Sequence, residues 1–110
     1  MYRSEQLKAR SKKFAVEIVI MFQTLPKTDE ARVLGKQMLR SGTSVAANYR
    51  AACRGRSKAE FIAKIGIVVE ESDETVFWLE MLTETNVATQ GRVDPMLREA
   101  NELLAIFAAS

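Results

Sequence analysis

The chain has 110 residues, of which 47% are apolar and 27% are charged, and this balance predicts one folded domain rather than a disordered segment. A single cysteine excludes an intramolecular disulfide, and the absence of histidine excludes the common zinc, haem and histidine-dependent catalytic sites. The longest nearly apolar run, residues 14–22, is too short to cross a bilayer, and the first residues lack the layout of a signal peptide. We therefore expect a cytoplasmic protein with no cofactor and no membrane contact.

The first half of the chain predicts two helices. Apolar residues at helical spacing indicate helix 1 over residues 4–24, and the segment around Pro26 ends it. Helix 2 is expected over residues 30–53, with Thr28 or Asp29 as its N-cap.

We expect two residues inside helix 2 to have structural roles. Glycine costs about 1 kcal/mol relative to alanine in a helix, so we expect Gly42 to permit a close contact with another helix. Asn48 borders the apolar face, where its amide is expected to bridge helices or to bind carbonyl groups near Gly42.

The second half predicts two more helices. Helix 3 is expected over residues 58–89, because Ser57 and Glu60 have the spacing of a capping box. Helix 4 is expected over residues 95–108, with Asp94 as its N-cap and the following proline at the first helical position.

These elements predict an all-α fold, an up-down-up-down antiparallel four-helix bundle formed by residues 1–110 as a single domain. The alternative is a strand at residues 15–20, where β-branched side chains are frequent. Because no partner strand is evident elsewhere, the helical interpretation is preferred.

Charge is distributed unevenly along the chain. Residues 1–64 carry 14 Lys/Arg against 5 Asp/Glu, a net charge of +9, whereas residues 65–110 carry 2 against 9, a net charge of −7. At 100° per residue, five cations of helix 2 share a stripe opposite its apolar side, and these are Arg32, Lys36, Arg40, Arg50 and Arg54. Further cations that could follow a phosphate backbone are Lys8, Lys12, Lys13, Arg56 and Lys58. A solvated helix face, or pairing with the acidic helix 3 of a neighbouring copy, remains an alternative for the stripe.

Helices 1 and 3 carry more apolar residues than one face can bury. The surplus residues are Val16, Val19, Ile20, Ile67, Phe77, Trp78 and Met81, and we interpret them as a subunit interface. Irregular packing, or cover by helix 4, is the alternative.

The sequence offers little for catalysis or metal binding. Helix 3 has an acidic band, but dinuclear metal sites in helical bundles use Glu-x-x-His motifs, and no histidine is present. The serines lack an imidazole base, and Cys53 lies at the margin of the apolar side of helix 2, where a small buried residue is expected. We therefore predict neither an enzyme nor a metal site.

The motif Arg-Ser-x-x-Ser-x-x-Ala-Asn at residues 40–48 is followed at residues 56–62 by Arg-Ser-Lys-x-Glu-Phe-Ile. Together they resemble the signature of the four-helix-bundle proteins encoded in intervening sequences of bacterial 23S ribosomal RNA genes. The chain departs from that pattern at Val45, where many members have proline, and at residues 49–52, where many have Ala-Glu-Gly after the asparagine.

The resemblance implies a left-handed bundle, commonly a homopentamer, with no known enzymatic activity. It also implies similarity in fold to the accessory variability determinant of diversity-generating retroelements, a basic pentameric barrel that engages a reverse transcriptase and nucleic acid. The expected partners are therefore further copies of the chain, RNA or DNA, and a nucleic-acid-processing protein. The alternative is a protein-interaction scaffold that binds no nucleic acid.

Overall fold

The computed structural model describes residues 4–110, and four α-helices account for most of them. The helices are α1 (Ser4–Gln23), α2 (Asp29–Cys53), α3 (Lys58–Glu84) and α4 (Gln90–Ala108). The all-α prediction is confirmed, and residues 15–20 lie within α1 rather than in a strand. No helix in this part of the chain combines the length and apolar character needed to traverse a bilayer.

Each helix packs against the next one in the chain, and α4 also contacts α1. The contacts between α1 and α2 depend on two glycines. A Cβ atom at Gly35 would lie 3.0 Å from Phe22, and one at Gly42 would lie 2.9 Å from Ile18, so the missing side chains allow close approach. The close contact predicted at Gly42 is therefore confirmed. As α2 advances, its contacts move back along α1, which is consistent with the antiparallel order predicted for the bundle.

The core lies along the axis between the helices and is contributed by all four. Its largest fully buried side chains are Phe14, Ile18, Met38, Val45, Val68, Leu79, Leu82, Val93, Leu103 and Phe107. Buried hydroxyl groups also occur in it, and the hydroxyls of Thr75 and Ser41 lie 3.0 Å apart across the α2/α3 contact. Every buried side-chain N or O atom in the described chain has a hydrogen-bond partner.

The N-caps of α2 and α3 form as predicted. Thr28 caps α2 by accepting a hydrogen bond from the Ala31 amide, 3.3 Å away. Ser57 caps α3 by accepting one from the Glu60 amide at 3.1 Å. The Glu60 carboxylate accepts a hydrogen bond from the Arg56 amide at 3.4 Å. In a standard capping box it would accept from the amide of the N-cap residue itself, so here the reciprocal bond is shifted by one residue.

Helix 3 ends at Glu84, five residues before the predicted end at residue 89. Asn86 has a φ of 60°, the left-handed conformation that often follows a helix end. The Val87 amide donates to the Leu82 carbonyl and the Asn86 amide donates to the Thr83 carbonyl, which is the hydrogen-bond pattern of a Schellman motif. Asparagine, rather than the later glycine, therefore terminates α3.

Helix 4 begins at Gln90, five residues earlier than predicted. The prediction of Asp94 as its N-cap is wrong, because Thr89 occupies that position and Asp94 lies inside the helix together with Pro95. The amides of Arg92 and Val93 donate to the Thr89 carbonyl, which closes the first turn before the proline. Val93 is fully buried, so packing on the core holds this early turn in place.

Candidate nucleic-acid interface

The cations of the predicted stripe do not form one continuous surface, because Arg40 in its middle turns toward α3. The Arg40 guanidinium pairs with the carboxylates of Glu71 and Glu74. Trp78 donates a hydrogen bond from its indole N–H to Glu74 at 3.2 Å. The hydrogen bond with Glu74 raises the pKa of Arg40, and the hydrogen bonds from Trp78 and Arg40 lower the pKa of Glu74. Arg40 is therefore partly neutralised and ties α2 to α3.

Four other cations come together between the start of α1 and the end of α2. Lys8, Lys12, Arg50 and Arg54 line one shallow surface groove, which we call the basic groove. Glu5 and Ala9 complete its lining, and the Glu5 carboxylate lies 2.8 Å from the Lys8 ammonium. In the described part of the chain, Lys12, Arg50 and Arg54 have no ion-pair partner. Their charges remain available to an external anion.

The remaining cations of the nucleic-acid prediction are exposed but more scattered. Lys13 is exposed on α1, and Arg56 and Lys58 are exposed at the junction between α2 and α3. At the start of α2, Lys36 is exposed, and Arg32 lies 3.5 Å from the exposed carboxylate of Asp29.

The basic and acidic halves of the sequence occupy different sides of the bundle. Helices α1 and α2 belong to the basic half, whereas most of α3 and all of α4 belong to the acidic half. Ion pairs join the two sides at both contacts. Arg40 pairs with α3, and Arg10 pairs with Glu99 at 2.6 Å and with Glu102 at 2.9 Å on α4. The bundle therefore carries opposite charge on its two sides.

The predicted subunit interface is partly exposed. Four of its residues, Val16, Ile20, Ile67 and Phe77, are between 38% and 54% exposed. Val19, Trp78 and Met81 are half-buried, and the Trp78 ring meets Phe77 edge to face with centroids 4.9 Å apart. Val33 and Ile62 are also exposed, although the helical pattern did not place them in the predicted subunit interface. Neither helix 4 nor irregular packing thus covers four of the seven surplus apolar residues, whereas the other three are partly covered.

Other predicted residues serve the bundle itself. Asn48 donates a hydrogen bond to the Ser44 carbonyl at 2.9 Å, so its amide binds its own helix rather than bridging to another. Cys53 is half-buried beside Tyr49, and burial raises the pKa of Tyr49 above its ordinary value. Within residues 4–110, no three carboxylate or thiol groups converge in a way that could hold a metal ion.

Sequence reasoning missed Glu5 as part of the site. The helical pattern placed cations on each helix separately, but it gave no relative rotation of α1 and α2, so the carboxylate at the edge of the groove could not be anticipated. The (i, i+3) spacing of Glu5 and Lys8 was the only available signal.

Comparison with known proteins agrees with the fold. A crystal structure from Bacteroides thetaiotaomicron, described as a protein of unknown function from the S23 ribosomal protein family, is 36% identical to this chain with a TM-score of 0.87. The match covers 94% of this chain and 95% of that one. No match is found among curated proteins. The model of the 23S rRNA-intervening sequence protein family matches residues 4–109, and the chain therefore belongs to that family.

Proposed function

We propose that this protein is a non-catalytic, cytoplasmic homo-oligomer that binds nucleic acid, in the form of RNA or a ribonucleoprotein. It binds through the basic groove and the neighbouring exposed cations of α2. The family resemblance implies five subunits. The observation that carries the proposal is the convergence of Lys8, Lys12, Arg50 and Arg54 from two helices on one groove. Four clustered cations can neutralise several phosphates and release their counterions, which is the main source of sequence-independent affinity.

Names of related proteins support the same class of partner. The family name refers to an intervening sequence of 23S rRNA, and the solved relative is assigned to a ribosomal protein family. The overall charge of +2 is too small to attract RNA, so binding would depend on the local groove rather than on the whole molecule.

This proposal is tested by measuring how much mixed RNA the protein retains as the salt concentration rises. We expect binding at low ionic strength that weakens steeply as salt rises, with a slope that falls by about one unit for each phosphate-contacting cation removed. Arg50→Glu should weaken binding, and Arg32→Glu should do so if the stripe also contributes. Arg98→Glu, which changes a cation on α4, is the control with the same change in charge. Absence of RNA binding at low salt, or equal affinity in all three variants, would reject the proposal.

The second candidate is a protein-interaction scaffold without nucleic-acid binding. The exposed Val16 and Ile20 on α1, and Ile67 and Phe77 on α3, favour it, because large apolar side chains left outside the core are available for protein contacts. A specific protein partner that is still retained after nuclease treatment, in the absence of RNA binding by the purified protein, would favour the scaffold.

A further inference from the structure

We infer that copies of this chain associate head to tail, with the outer face of α1 on one copy packed against the outer face of α3 on the next. The inference rests on the proposed function, because it specifies the contact that builds the proposed homo-oligomer. One half of the contact is formed by Lys13, Val16 and Ile20, and the other half by Glu70 and Phe77.

The apolar faces of α1 and α3 point away from each other. Each of these helices packs against α2 and α4, and their backbones do not contact one another within residues 4–110, so they occupy diagonally opposite corners of the bundle. Val16 and Ile20 on α1 and Phe77 on α3 are half exposed. A two-fold symmetric contact uses the same face on both copies, so it would cover one of these faces and leave the other in water. A head-to-tail contact covers both.

The charges beside the two faces are complementary. Lys13 is exposed one helical turn before Val16, and Glu70 is exposed two turns before Phe77. Neither charge has an ion-pair partner in the described chain. From residue 65 to its end, α3 carries six carboxylates and no cation, so a contact of α3 on α3 would bring like charges together. A contact of α1 on α3 brings opposite charges together, which favours this pairing.

Contacts of α2 fix the relative heights of α1 and α3 along the bundle. Gly42 packs on Ile18 of α1, and the adjacent Ser41 hydroxyl accepts a hydrogen bond from Thr75 of α3. Ile18 and Thr75 therefore lie at nearly the same level. The short connection at residues 54–57 makes α3 antiparallel to α2, as α1 is, so α1 and α3 run in the same direction.

The proposed contact residues match in height from that common level. Lys13 and Glu70 each lie five residues before it, and Ile20 and Phe77 each lie two residues after it. A rotation about an axis parallel to the helices would therefore bring Lys13 to Glu70 and Ile20 to Phe77, without any sliding of one copy along the other. Such a contact is heterologous, and it closes into a ring when repeated rotations complete a full turn.

A ring of this kind gives the basic side of the bundle a common position. The contact uses the corners occupied by α1 and α3, which leaves α2 and α4 at the other two corners. Because all copies are related by rotation, α2 lies on the same side of the ring in every copy. Arg50 and Arg54 would then recur around one circular surface, which suits the nucleic-acid binding proposed above.

Mixing two variants of nuclease-treated protein tests the pairing of the faces. Val16→Asp with Ile20→Asp disables the α1 face, and Phe77→Asp disables the α3 face, because buried charge is costly at a contact. Circular dichroism checks that each variant keeps its helices. By light scattering, each variant alone should have the 12.3 kDa mass of one chain, and the equimolar mixture should have twice that mass. The intact α3 face of the first variant would meet the intact α1 face of the second.

The other outcomes of the mixing experiment separate the inference from the proposed function. Dimers formed by either variant alone, or a mixture that stays at 12.3 kDa at concentrations where the wild type is assembled, would overturn the head-to-tail contact and leave the homo-oligomer intact. A wild type that is itself a single chain would overturn the homo-oligomer.

Charge reversal tests the same contact without changing its apolar residues. At about 0.1 M salt, where exposed charges still interact over a few ångströms, Lys13→Glu should weaken assembly severalfold. Adding Glu70→Lys should restore it, because the opposite charges face each other again. Adding Glu30→Lys instead, at the exposed start of α2, gives the same net charge and should not restore assembly. Equal recovery with both second changes would show that net charge governs assembly, which would contradict the inference.

Discussion

Gly42 and Gly66 show that one residue type has opposite roles at two positions. Gly42 faces α1, where the side chain of Ile18 occupies the space that a Cβ atom would need. Gly66 lies on the exposed side of α3, where nothing packs within 4 Å of the position that a Cβ atom would take. Glycine is required at the first position by packing, and at the second it only raises the flexibility of the unfolded chain.

Alanine substitutions at the two glycines should therefore change stability in opposite directions. Gly42→Ala forces the Ile18 side chain or the helices apart and should lower the free energy of unfolding by about 1–3 kcal/mol. Gly66→Ala should raise it by about 0.5–1 kcal/mol, because alanine costs less conformational entropy in a helix. Urea unfolding followed by circular dichroism measures both. A neutral Gly42→Ala would contradict the close packing of α1 on α2.

At the scale of elements, the contact between α2 and α3 has a polar layer at its surface and another beneath it. Arg40, Glu71 and Glu74 form the outer ion pairs, and the Ser41 and Thr75 hydroxyls meet in the buried layer. Arg40 is about half exposed, so water screens the outer pairs and their effect on stability is modest. The clearer consequence of these ion pairs is that the free energy of unfolding depends on pH.

The pKa of Glu74 is lowered in the folded protein, first by the hydrogen bond from Trp78 and then by the one from Arg40. Its stabilising effect is therefore present above the unfolded glutamate pKa of about 4.3 and is lost as pH falls through the folded value. We expect the unfolding free energy of wild type to exceed that of Glu74→Gln at about pH 6, and the two to converge as the pH falls below the lowered pKa of Glu74.

Urea midpoints measured across that range check this expectation. Glu84→Gln removes an exposed carboxylate from the same helix, one without an ion pair in the described chain, and is the control. A constant difference between wild type and Glu74→Gln at all pH values would show that Glu74 is not held by these hydrogen bonds.

At the scale of the whole molecule, the uneven charge along the sequence becomes an uneven charge across the bundle. The basic helices α1 and α2 are neighbours and so are α3 and α4, hence one side of the bundle can attract phosphate while the other repels it. The exposed apolar residues of α1 and α3 lie outside the core of the single bundle. Both features suit an assembly in which further copies cover the apolar residues.

Light scattering tests the proposed assembly. We expect a mass several times the 12.3 kDa of one chain, and a lower mass for a Val16→Asp, Ile20→Asp double variant, because buried charge is costly at a subunit contact. Ala105→Asp places one such charge on an exposed position of α4 and should leave the mass unchanged. A folded wild-type particle of 12.3 kDa at high concentration would reject the homo-oligomer.

The sequence predicted some helix ends well and missed others for local reasons. The Ser57 cap and the start of α2 follow from side chains that bind amides within three residues, and such short-range signals can be read directly. The end of α3 was missed because Asn86 was not recognised as a left-handed terminator. The start of α4 was missed because Asp94-Pro95 has the pattern of a helix start, whereas burial of Val93 favours a turn before it.

By itself the sequence determined the helical class, the family and the uneven division of charge, because these depend on composition, periodicity and motifs along the chain. Only the tertiary structure decided which cations act together. It paired Arg40 with α3, and it brought Lys8 and Lys12 beside Arg50 and Arg54. The physical reason is that a helical pattern defines the faces of each helix but not the rotation of one helix against another, which core packing sets.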